Sequence, residues 1–370
     1  MGNSVAIVGT RGYPSYYGGF ETAVRKLAPY LADRGWDVEV FGRVGSTRVD
    51  DPDRDPRVTT SLSRGIDSKS ASTLSYGLTS SFKAAVDKPD VVLVMNVANG
   101  FWLPFFKVRR IPTLLNVDGI EWDRQKWGRA AKFVFRVGAR ASALWADELV
   151  CDSHEIVRRW RNDFRVEGTF IPYGGDVPGG LPVEPGLTSR GYVLVVARFV
   201  PENTIEEFLR AVELMPSDTD VVIVGSSGYG GEFDERARAL SERRQNVRWL
   251  GHVNDDRRLF ALWQHAGVYF HGHSVGGTNP ALVQAMACKA PVVARDTVYN
   301  REVLGDFGRF VDPTPEAIRD AVLALLSDSA QQEVLREGAF VRSREIYSWE
   351  AVCEGYEQAL LRLIDTSRRK

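Results

Sequence analysis

A glycine-rich loop near the start of the chain has the composition of a phosphate-binding site. It covers residues 11–22, contains Gly18 and Gly19, follows the apolar run 5–8 and precedes a helix-like segment. A strand that enters such a loop and then a helix points backbone N–H groups and the positive end of the helix dipole at the bound group. An ordinary strand-to-helix turn would have the same composition, and both interpretations stay open on the loop alone.

The spacing of this loop separates it from two common nucleotide motifs. It matches neither the GxGxxG of dinucleotide-binding proteins nor the GxxxxGK[ST] of NTP-hydrolysing P-loops. NAD binding and NTP hydrolysis therefore lose their support, and a sugar nucleotide becomes the better candidate ligand.

Two patterns look like metal ligands. Asp51-Pro-Asp53 has the DxD form, but it lies among other charges rather than at the end of an apolar strand, which favours a solvated turn. His271 and His273 lack a third ligand nearby and are better explained as residues that line a ligand site. We therefore expect no metal and no bound cofactor.

Length and composition indicate a two-domain globular protein. A chain of 370 residues exceeds one ordinary core, and 44% hydrophobic with 26% charged residues is typical of folded domains. Three cysteines without a CxxC pair favour neither a disulfide framework nor a zinc site. Without a signal peptide or a run of roughly eighteen apolar residues, we expect a cytoplasmic protein.

The charge of the chain is small overall but unevenly distributed. The net charge of −1 argues against nucleic-acid binding. Residues 1–170 hold 25 lysines and arginines against 20 acidic residues, and the remainder hold 22 against 28. The first half is therefore the better candidate for meeting an anionic partner.

The elements that must position these residues alternate between strand-like and helix-like segments. This βαβ rhythm predicts two doubly wound α/β domains with parallel, Rossmann-like sheets that face a cleft. The predicted strands are 5–8, 38–41, 91–95, 113–116 and 148–151 in the first half, and 192–197, 221–224, 247–250, 268–270 and 291–294 in the second.

Four segments follow from this pattern. The first domain covers 1–171, a linker rich in proline and glycine covers 172–189, and the second domain covers 190–348. The last segment, 349–370, is predicted to be an amphipathic helix that packs back on the first domain. Its apolar face consists of Val352, Tyr356, Ala359, Leu360 and Leu363.

Nearly the whole chain resembles the GT-B glycosyltransferases, and specifically the retaining enzymes of family 4. The motifs that carry the resemblance are VARFVPEN at 196–203, VGSSG at 224–228, LGHV at 250–253 and HGHSVGGTNPALVQAMA at 271–287. The GTRG loop with GGFE, and NVDGIEW at 116–122, resemble more closely the bacterial rhamnosyltransferase-like enzymes of cell-surface polysaccharide synthesis. The resemblance implies an acceptor-side first domain and a second domain that binds a nucleotide sugar.

The resemblance also implies which residues bind the donor. Arg198 grips its diphosphate, and Asn203 stands where the family has a second cation, a lysine. A guanidinium suits a diphosphate because two N–H groups meet two oxygens. The other implied donor-binding residues are Gly18, Gly19, Gly225, His252, Val253, His273, Gly277, Thr278, Asn279 and Gln284.

The chain departs from the family at the E-x7-E element. The two glutamate positions read Gly276 and Gln284. An uncharged residue at 284 suits a deoxyribose, and loss of the first carboxylate suits a sugar with fewer or differently placed hydroxyls. We therefore favour a dTDP-sugar, dTDP-L-rhamnose first, with UDP- and GDP-sugars as alternatives.

Asp118, at the end of the fourth predicted strand, is our first candidate catalytic residue, together with Arg198 and Glu121. Asp123 competes for the same role, and a plain turn before Gly119 remains an equal explanation. The resemblance implies retention without a strong protein base or a metal, because the leaving phosphate accepts the acceptor proton. Stabilisation of the diphosphate charge would then supply much of the catalysis.

Residues 126–145 form a basic, aromatic and amphipathic segment. This pattern is typical of a helix that contacts a membrane carrying a lipid-linked acceptor, and a core helix with a solvated edge is the alternative. We expect a cytoplasmic enzyme that works at the inner face of the plasma membrane.

Two other functions remain open from the sequence. A sugar-nucleotide epimerase shares the two-domain architecture, and a non-catalytic sugar-nucleotide-binding protein would explain the missing glutamates. The sequence names neither the acceptor, nor the linkage, nor the oligomeric state.

Overall fold

The chain folds into two compact units. The computed structural model describes residues 2–16, 18–47, 50–66, 72–125, 127–228 and 230–369. Unit 1 comprises the described residues up to Asp123, Trp127–Tyr173 and the final segment 349–369. Unit 2 comprises Gly174–Ser348 together with Arg124 and Gln125.

Unit 1 is built on a seven-stranded parallel sheet of order β3-β2-β1-β4-β5-β6-β7. Its central strands consist of β-branched and aliphatic residues, which suit a sheet covered on both faces. The strands are β1 (Ser4–Val8), β2 (Asp37–Arg43), β3 (Thr59–Ser63), β4 (Val91–Met95), β5 (Thr113–Asn116), β6 (Glu148–Cys151) and β7 (Gly168–Phe170).

Among the described residues, six helices cover this sheet. They are α1 (Gly19–Asp33), α2 (Ser72–Asp87), α3 (Leu103–Arg109), α4 (Arg129–Trp145), α5 (His154–Phe164) and, from the end of the chain, α13 (Trp349–Arg368), with 3₁₀ turns at Val97–Trp102 and Glu121–Asp123. The apolar face predicted for the last helix is buried in the core of unit 1 beside α1 and the sheet. Asn116 also donates its amide to the Tyr356 hydroxyl over 2.6 Å.

Unit 2 contains a six-stranded parallel sheet of order β10-β9-β8-β11-β12-β13. Its strands are β8 (Tyr192–Val196), β9 (Asp220–Val224), β10 (Val247–Gly251), β11 (Val268–His271), β12 (Val292–Arg295) and β13 (Arg309–Val311). Its helices are α6 (Ile205–Leu214), α7 (Glu232–Arg243), α8 (Asp256–His265), α9 (Pro280–Ala287), α10 (Val298–Leu304), α11 (Pro315–Leu326) and α12 (Ser329–Ile346), with a 3₁₀ turn at Pro201–Asn203.

The two parallel sheets confirm the predicted α/β fold class. Three strands, β3, β7 and β13, were not expected from the sequence, and all three lie at sheet edges. Edge strands are covered on fewer sides, so short or polar runs such as TTSLS at 59–63 form them without the apolar pattern of a central strand.

The proline- and glycine-rich segment after Gly174 has no helix or strand, but it is hydrogen-bonded along unit 2. Gln264 accepts the Leu181 N–H over 2.9 Å and donates to the Gly179 carbonyl over 3.1 Å. Further along, the carboxylate of Glu184 forms a salt bridge with Arg258. Side chains of unit 2 thus replace the backbone bonds that the segment cannot make itself.

Among the described residues, no helix is both long and apolar enough to cross a membrane.

Candidate functional site

In unit 2, predicted donor residues lie at the carboxyl edge of the sheet. Strand β8 has β9 on one side and β11 on the other, so the strand order reverses beside it. Open α/β sheets bind ligands at such a switch point, outside the carboxyl ends of the strands. Arg198 follows β8, Gly225 follows β9, and His273 follows β11.

Arg198 is exposed, and its backbone is fixed. Its carbonyl accepts the side-chain amide of Asn203 over 2.7 Å and the N–H of Val200 over 2.9 Å. Within the described part of the chain, its guanidinium makes no hydrogen bond or ion pair. The structure thus fixes the backbone of Arg198 at the switch point and leaves its guanidinium without a hydrogen bond or ion pair to the described residues.

Asn203 also holds His273. Because its amide nitrogen donates to Arg198, its oxygen Oδ1 is the atom that faces His273 Nδ1 over 2.6 Å. A carboxamide oxygen only accepts, so Nδ1 of His273 carries the proton. Burial lowers the pKa of His273 well below its ordinary value, and the nearby charges of Arg124 and Arg198 act in the same direction.

His271 lies deeper than the sequence interpretation placed it. Its side chain is buried, and Nδ1 lies 3.0 Å from the Tyr269 hydroxyl. Burial lowers the pKa of His271 to about 3, so the ring is neutral at physiological pH. The sequence predicted that His271 lines a ligand site, whereas the structure buries its side chain.

Gly225 allows β9 and β8 to approach closely at their ends. Its φ is +127°, and a Cβ at this position would lie 1.8 Å from the Ala197 carbonyl oxygen. The Gly225 N–H donates to Gly251, which precedes the exposed His252 and the half-buried Val253. A side chain at position 225 would therefore displace the backbone that leads into Arg198.

The loop before α9 presents a capped helix N-terminus. Asn279 accepts the Ala281 N–H over 2.9 Å and precedes Pro280 in the first turn. Thr278 is buried, and Gly277 precedes it. This side-chain oxygen of Asn279 is thus used for capping, while the dipole of α9 favours an anion beside the loop.

Gln284 is engaged inside unit 2. Its Oε1 accepts the Asp176 N–H over 2.9 Å, and its Nε2 donates to the Asp176 carbonyl over 2.7 Å. The side chain therefore fixes the segment after Gly174. Contact with a ribose stays a prediction and depends on the remaining acceptor capacity of Oε1.

In unit 1, Gly18 caps α1 and Gly19 begins it, at the predicted phosphate loop. The buried carboxylate of Glu21 lies at the same helix terminus, where it accepts the Arg11 N–H over 3.1 Å. This fixed negative charge opposes an incoming phosphate. Anion binding by these glycines stays a prediction.

Asp118 follows β5 and has a φ of +61°. Its N–H donates to the side chain of Asn116 over 2.8 Å, and its carboxylate faces the amide of Asn96. It is half-buried. The structure therefore holds this carboxylate at the carboxyl edge of the unit 1 sheet, where substrates bind in such folds.

Glu121 is only 4% exposed, and its carboxylate accepts the Trp127 indole N–H over 2.6 Å. Asp123 forms a salt bridge with Arg159 over 2.9 Å. Glu121 and Asp123, like Asp118, thus each have a structural partner.

Two residues of these sites were not found from the sequence. Asn96 interrupts the apolar run of β4 at its carboxyl end, and this polar interruption was the available signal. Arg124 acts on His273 through its charge, but it is distant from that residue in sequence and nothing in its motif indicates the proximity.

The described residues contain no group of three or more His, Cys, Asp or Glu side chains arranged to hold a metal ion.

Two family models match the chain, one in each unit. Residues 18–174 match the glycosyl transferase 4-like domain, and residues 184–342 match the glycosyl transferases group 1.

Two curated relatives match part of the chain. The O-antigen chain mannosyltransferase B of Escherichia coli is 29% identical over 171 residues, 44% of each chain. The phosphatidyl-myo-inositol mannosyltransferase of Mycobacterium leprae is 30% identical over 211 residues, 54% of each chain. The matched chain thus spans about half the length of these relatives.

Solved structures share the fold over the whole chain. Sucrose-phosphate synthase from Thermosynechococcus elongatus has a TM-score of 0.82 at 20% identity and covers 98% of this chain and 100% of its own. Anabaena HepE in complex with UDP-glucose has a TM-score of 0.75 at 13% identity, with coverages of 98% and 100%. With a 4-like domain in unit 1, a group 1 domain in unit 2 and the two parallel sheets of this fold, the chain belongs to the family 4-type glycosyltransferases of the GT-B fold.

Proposed function

We propose that the chain transfers a sugar from a nucleoside diphosphate to a glycan or lipid-linked acceptor in cell-surface polysaccharide synthesis. The observation that carries the proposal is Arg198, a guanidinium held at the switch point of unit 2 without a hydrogen bond or ion pair to the described residues. Family membership and the mannosyltransferase names of the two curated relatives support the same class of reaction.

The diphosphate would be bound by charge and by backbone amides. The guanidinium of Arg198 offers two parallel N–H groups to two phosphate oxygens, and the N-terminus of α9 adds its dipole. These groups favour the leaving diphosphate more strongly as its charge develops. We propose that they replace a metal ion, so that transfer is metal-independent.

Retention of the anomeric configuration is the second part of the proposal. The leaving phosphate would accept the acceptor proton, and Asp118 would contact the acceptor hydroxyl or the transferred sugar. Its half-buried carboxylate at a strand end supports this role better than the buried Glu121, whose bond to Trp127 favours a positioning role.

Among donors, we propose dTDP-L-rhamnose first, as in the rhamnosyltransferase-like enzymes. This donor is supported by the residues at positions 276 and 284, neither of which carries a carboxylate. The contact of Gln284 with Asp176 reduces its capacity for a ribose and weakens this preference. The UDP-glucose bound to HepE and the mannosyltransferase names of the relatives make UDP- and GDP-sugars the necessary comparison.

We also propose that α4 contacts a membrane. Its inner face packs through the small residues Gly138, Ala139 and Ser142, while Phe133 and Leu144 are each 70% exposed. The helix contains Arg and Lys but no acidic residue. Lys126, the first residue of the predicted segment, lies outside the described residues.

Helix α3 packs against both α2 and α4, and these neighbouring helices also carry exposed apolar side chains. Val108 on α3 is 84% exposed beside Arg109 and Arg110, and Phe82 on α2 is also exposed. Apolar side chains with basic neighbours suit the interface of an anionic bilayer. This docking surface is defined by Phe82, Val108, Phe133 and Leu144.

Calorimetric titration with dTDP, UDP, GDP and ADP tests the proposal. Wild type should bind one of them, and Arg198→Ala should weaken that binding by roughly tenfold or more. Arg309→Ala is the matched control, because Arg309 is an exposed arginine at the amino end of β13. Preference for dTDP supports the rhamnosyl donor, preference for another nucleotide discards it, and absence of binding overturns the proposal.

A second measurement separates transfer from the two alternatives. Acceptor-dependent release of the nucleoside diphosphate identifies a transferase, whereas interconversion of the sugar nucleotide identifies an epimerase. Binding without turnover for any acceptor identifies a non-catalytic protein. The anomeric proton coupling of the product tests retention.

A further inference from the structure

A second arginine lies at the carboxyl edge of the unit 2 sheet, outside the set of predicted donor residues. Arg295 ends β12 and is half-buried. Strand β12 pairs with β11, which in turn pairs with β8. Because neighbouring strands lie about 4.8 Å apart, the backbone of Arg295 is roughly 10 Å from the strand that leads into Arg198.

The side chain of Arg295 reaches back across the end of β11. Its Nη1 donates to the Thr204 hydroxyl over 3.0 Å, and Thr204 lies in the turn between β8 and α6. That hydroxyl donates in turn to the Gly272 carbonyl over 2.6 Å. The guanidinium therefore lies against the residue that follows Asn203, whose amide bonds to the Arg198 carbonyl.

The glycine at position 272 lets this turn lie close to β11. A Cβ at Gly272 would lie 2.3 Å from the Asn203 carbonyl oxygen and 2.9 Å from the Thr204 Cβ. Any side chain at position 272 would therefore push the turn away from the strand. Its absence keeps Thr204 within reach of Arg295.

The backbone of Arg295 is also tied to the predicted donor residues. Asn300 is buried, and its Nδ2 donates to the Arg295 carbonyl over 2.8 Å and to the His273 carbonyl over 2.9 Å. Arg295 is thus fixed at its backbone through Asn300 and at its guanidinium through Thr204. A side chain that is held in this way loses less entropy when it binds a ligand.

Most of the guanidinium of Arg295 is still free to bind. Apart from the bond to Thr204, it makes no hydrogen bond or ion pair within the ranges that the structure describes. Its remaining N–H groups lie in one plane, which suits phosphate oxygens. Of the carboxylates next to these residues in sequence, Asp296 pairs with Arg301 over 2.6 Å, and the buried Glu202 has a partner other than Arg295.

A nucleoside diphosphate carries more negative charge than one guanidinium neutralises. Asn203 carries no charge, and both ends of its amide are used by Arg198 and His273. We propose that Arg295 binds the donor diphosphate together with Arg198, so that two guanidinium groups hold the phosphates at this edge of unit 2. The inference rests on the proposed function, because it takes the ligand at this edge to be a nucleoside diphosphate.

Calorimetric titration of the whole chain with dTDP, UDP, GDP and inorganic pyrophosphate tests this role. Wild type should bind pyrophosphate and at least one of the nucleotides. Arg295→Gln should weaken both by roughly tenfold or more, and Arg295→Lys by less, because lysine keeps the charge but lacks the planar fork. Arg309→Gln removes an exposed arginine from the amino end of β13 and should bind like wild type.

Thr204→Gly separates ligand binding from support of the turn. Thr204 has a φ of +55°, which glycine adopts without strain, and the change removes the hydroxyl that accepts from Arg295. This variant should weaken binding by about threefold or less, since the guanidinium remains. Equal losses in Thr204→Gly and Arg295→Gln would mean that Arg295 acts through the turn alone, and would overturn the inference. If Arg295→Gln fails to fold, Arg295→Lys takes its place in this comparison.

The same titrations distinguish this inference from the proposed function. Binding that fails in Arg198→Ala and is unchanged in Arg295→Gln overturns the role of Arg295 and leaves the proposed function standing. Pyrophosphate binding that both variants weaken, without binding of any nucleotide, supports Arg295 as a phosphate-binding residue and overturns the proposed donor. Absence of binding by pyrophosphate and by every nucleotide overturns both.

Discussion

Asn96 and Asp118 follow the carboxyl ends of two neighbouring parallel strands, β4 and β5, and both have a positive φ, 74° and 61°. The amide Nδ2 of Asn96 lies 3.4 Å from Oδ2 of Asp118. Non-glycine residues rarely take this backbone conformation, and it persists where the surroundings impose it, at helix ends and turns and also at functional sites. The pair therefore marks the edge of β4 and β5 as the place in unit 1 to test for function.

Asp118→Gly separates strain from function. Glycine takes a φ of 61° without steric cost, so urea unfolding should show an unchanged free energy or a gain of about 1 kcal/mol. Transfer should fall by about 100-fold or more, because the carboxylate contacts the reacting groups in our proposal. Arg165→Gly, at another positive φ after α5, is the control with unchanged transfer. Full transfer by Asp118→Gly would refute a catalytic role.

Gln284→Ala should destabilise unit 2. The change leaves the N–H and the carbonyl of Asp176 without their side-chain partner, at an expected cost of about 1–3 kcal/mol. Gln264→Ala removes an equivalent pair of bonds at a more exposed site and should cost less. Thermal unfolding of both variants measures how much stability each one loses. Equal losses of stability would contradict the expectation that the more buried pair of hydrogen bonds contributes more.

Stability should fall in acid because His271 is buried in its neutral form. Its pKa is about 3 in the folded protein and 6.5 as the ordinary value. Below about pH 6.5 the unfolded chain binds a proton that the folded chain does not, so each unit of pH removes about 1.4 kcal/mol down to the folded pKa. The lowered pKa of His273 adds to the same trend.

The variant His271→Phe isolates this contribution. Urea unfolding across the range from about pH 6 to about pH 4.5 should show a shallower loss of stability than in wild type. An identical slope in the variant would mean that His271 is protonated in the folded state.

Membrane binding should depend on the docking surface. Phe133→Ser with Leu144→Ser should lower partitioning onto anionic vesicles by at least about tenfold, since burial of each side chain contributes roughly 1.5–3 kcal/mol. Val334→Ser with Val341→Ser removes two exposed apolar residues from α12 and should bind like wild type. Wild type that sediments equally with anionic and neutral vesicles, or with neither, would contradict this surface.

The sequence predicts the central strands of both sheets well because each of these strands is recognisable from its own apolar residues. Runs such as 91–95 are wholly apolar and buried in the structure. The strand β13 at 309–311 is three residues long and half exposed, so its place depends on its pairing with β12 rather than on composition.

The site is less predictable, since its contacts join distant parts of the chain. Arg198 follows a clear strand, and parallel topology alone places it at the carboxyl edge. By contrast, the bond between Asn203 and His273 spans 70 residues, and that between Gln284 and Asp176 spans 108. Such contacts depend on how loops pack, and no local pattern encodes them.

The position of α13 has a consequence for synthesis on the ribosome. Unit 2 is almost one uninterrupted run of the chain, whereas the core of unit 1 takes its last layer from the 20 residues of α13. The first sheet therefore emerges early and waits with part of one apolar face uncovered until α13, which follows unit 2 along the chain, has been translated. Such a state invites aggregation or chaperone binding. A premature stop codon shortly before α13 would thus damage the unit that is translated first.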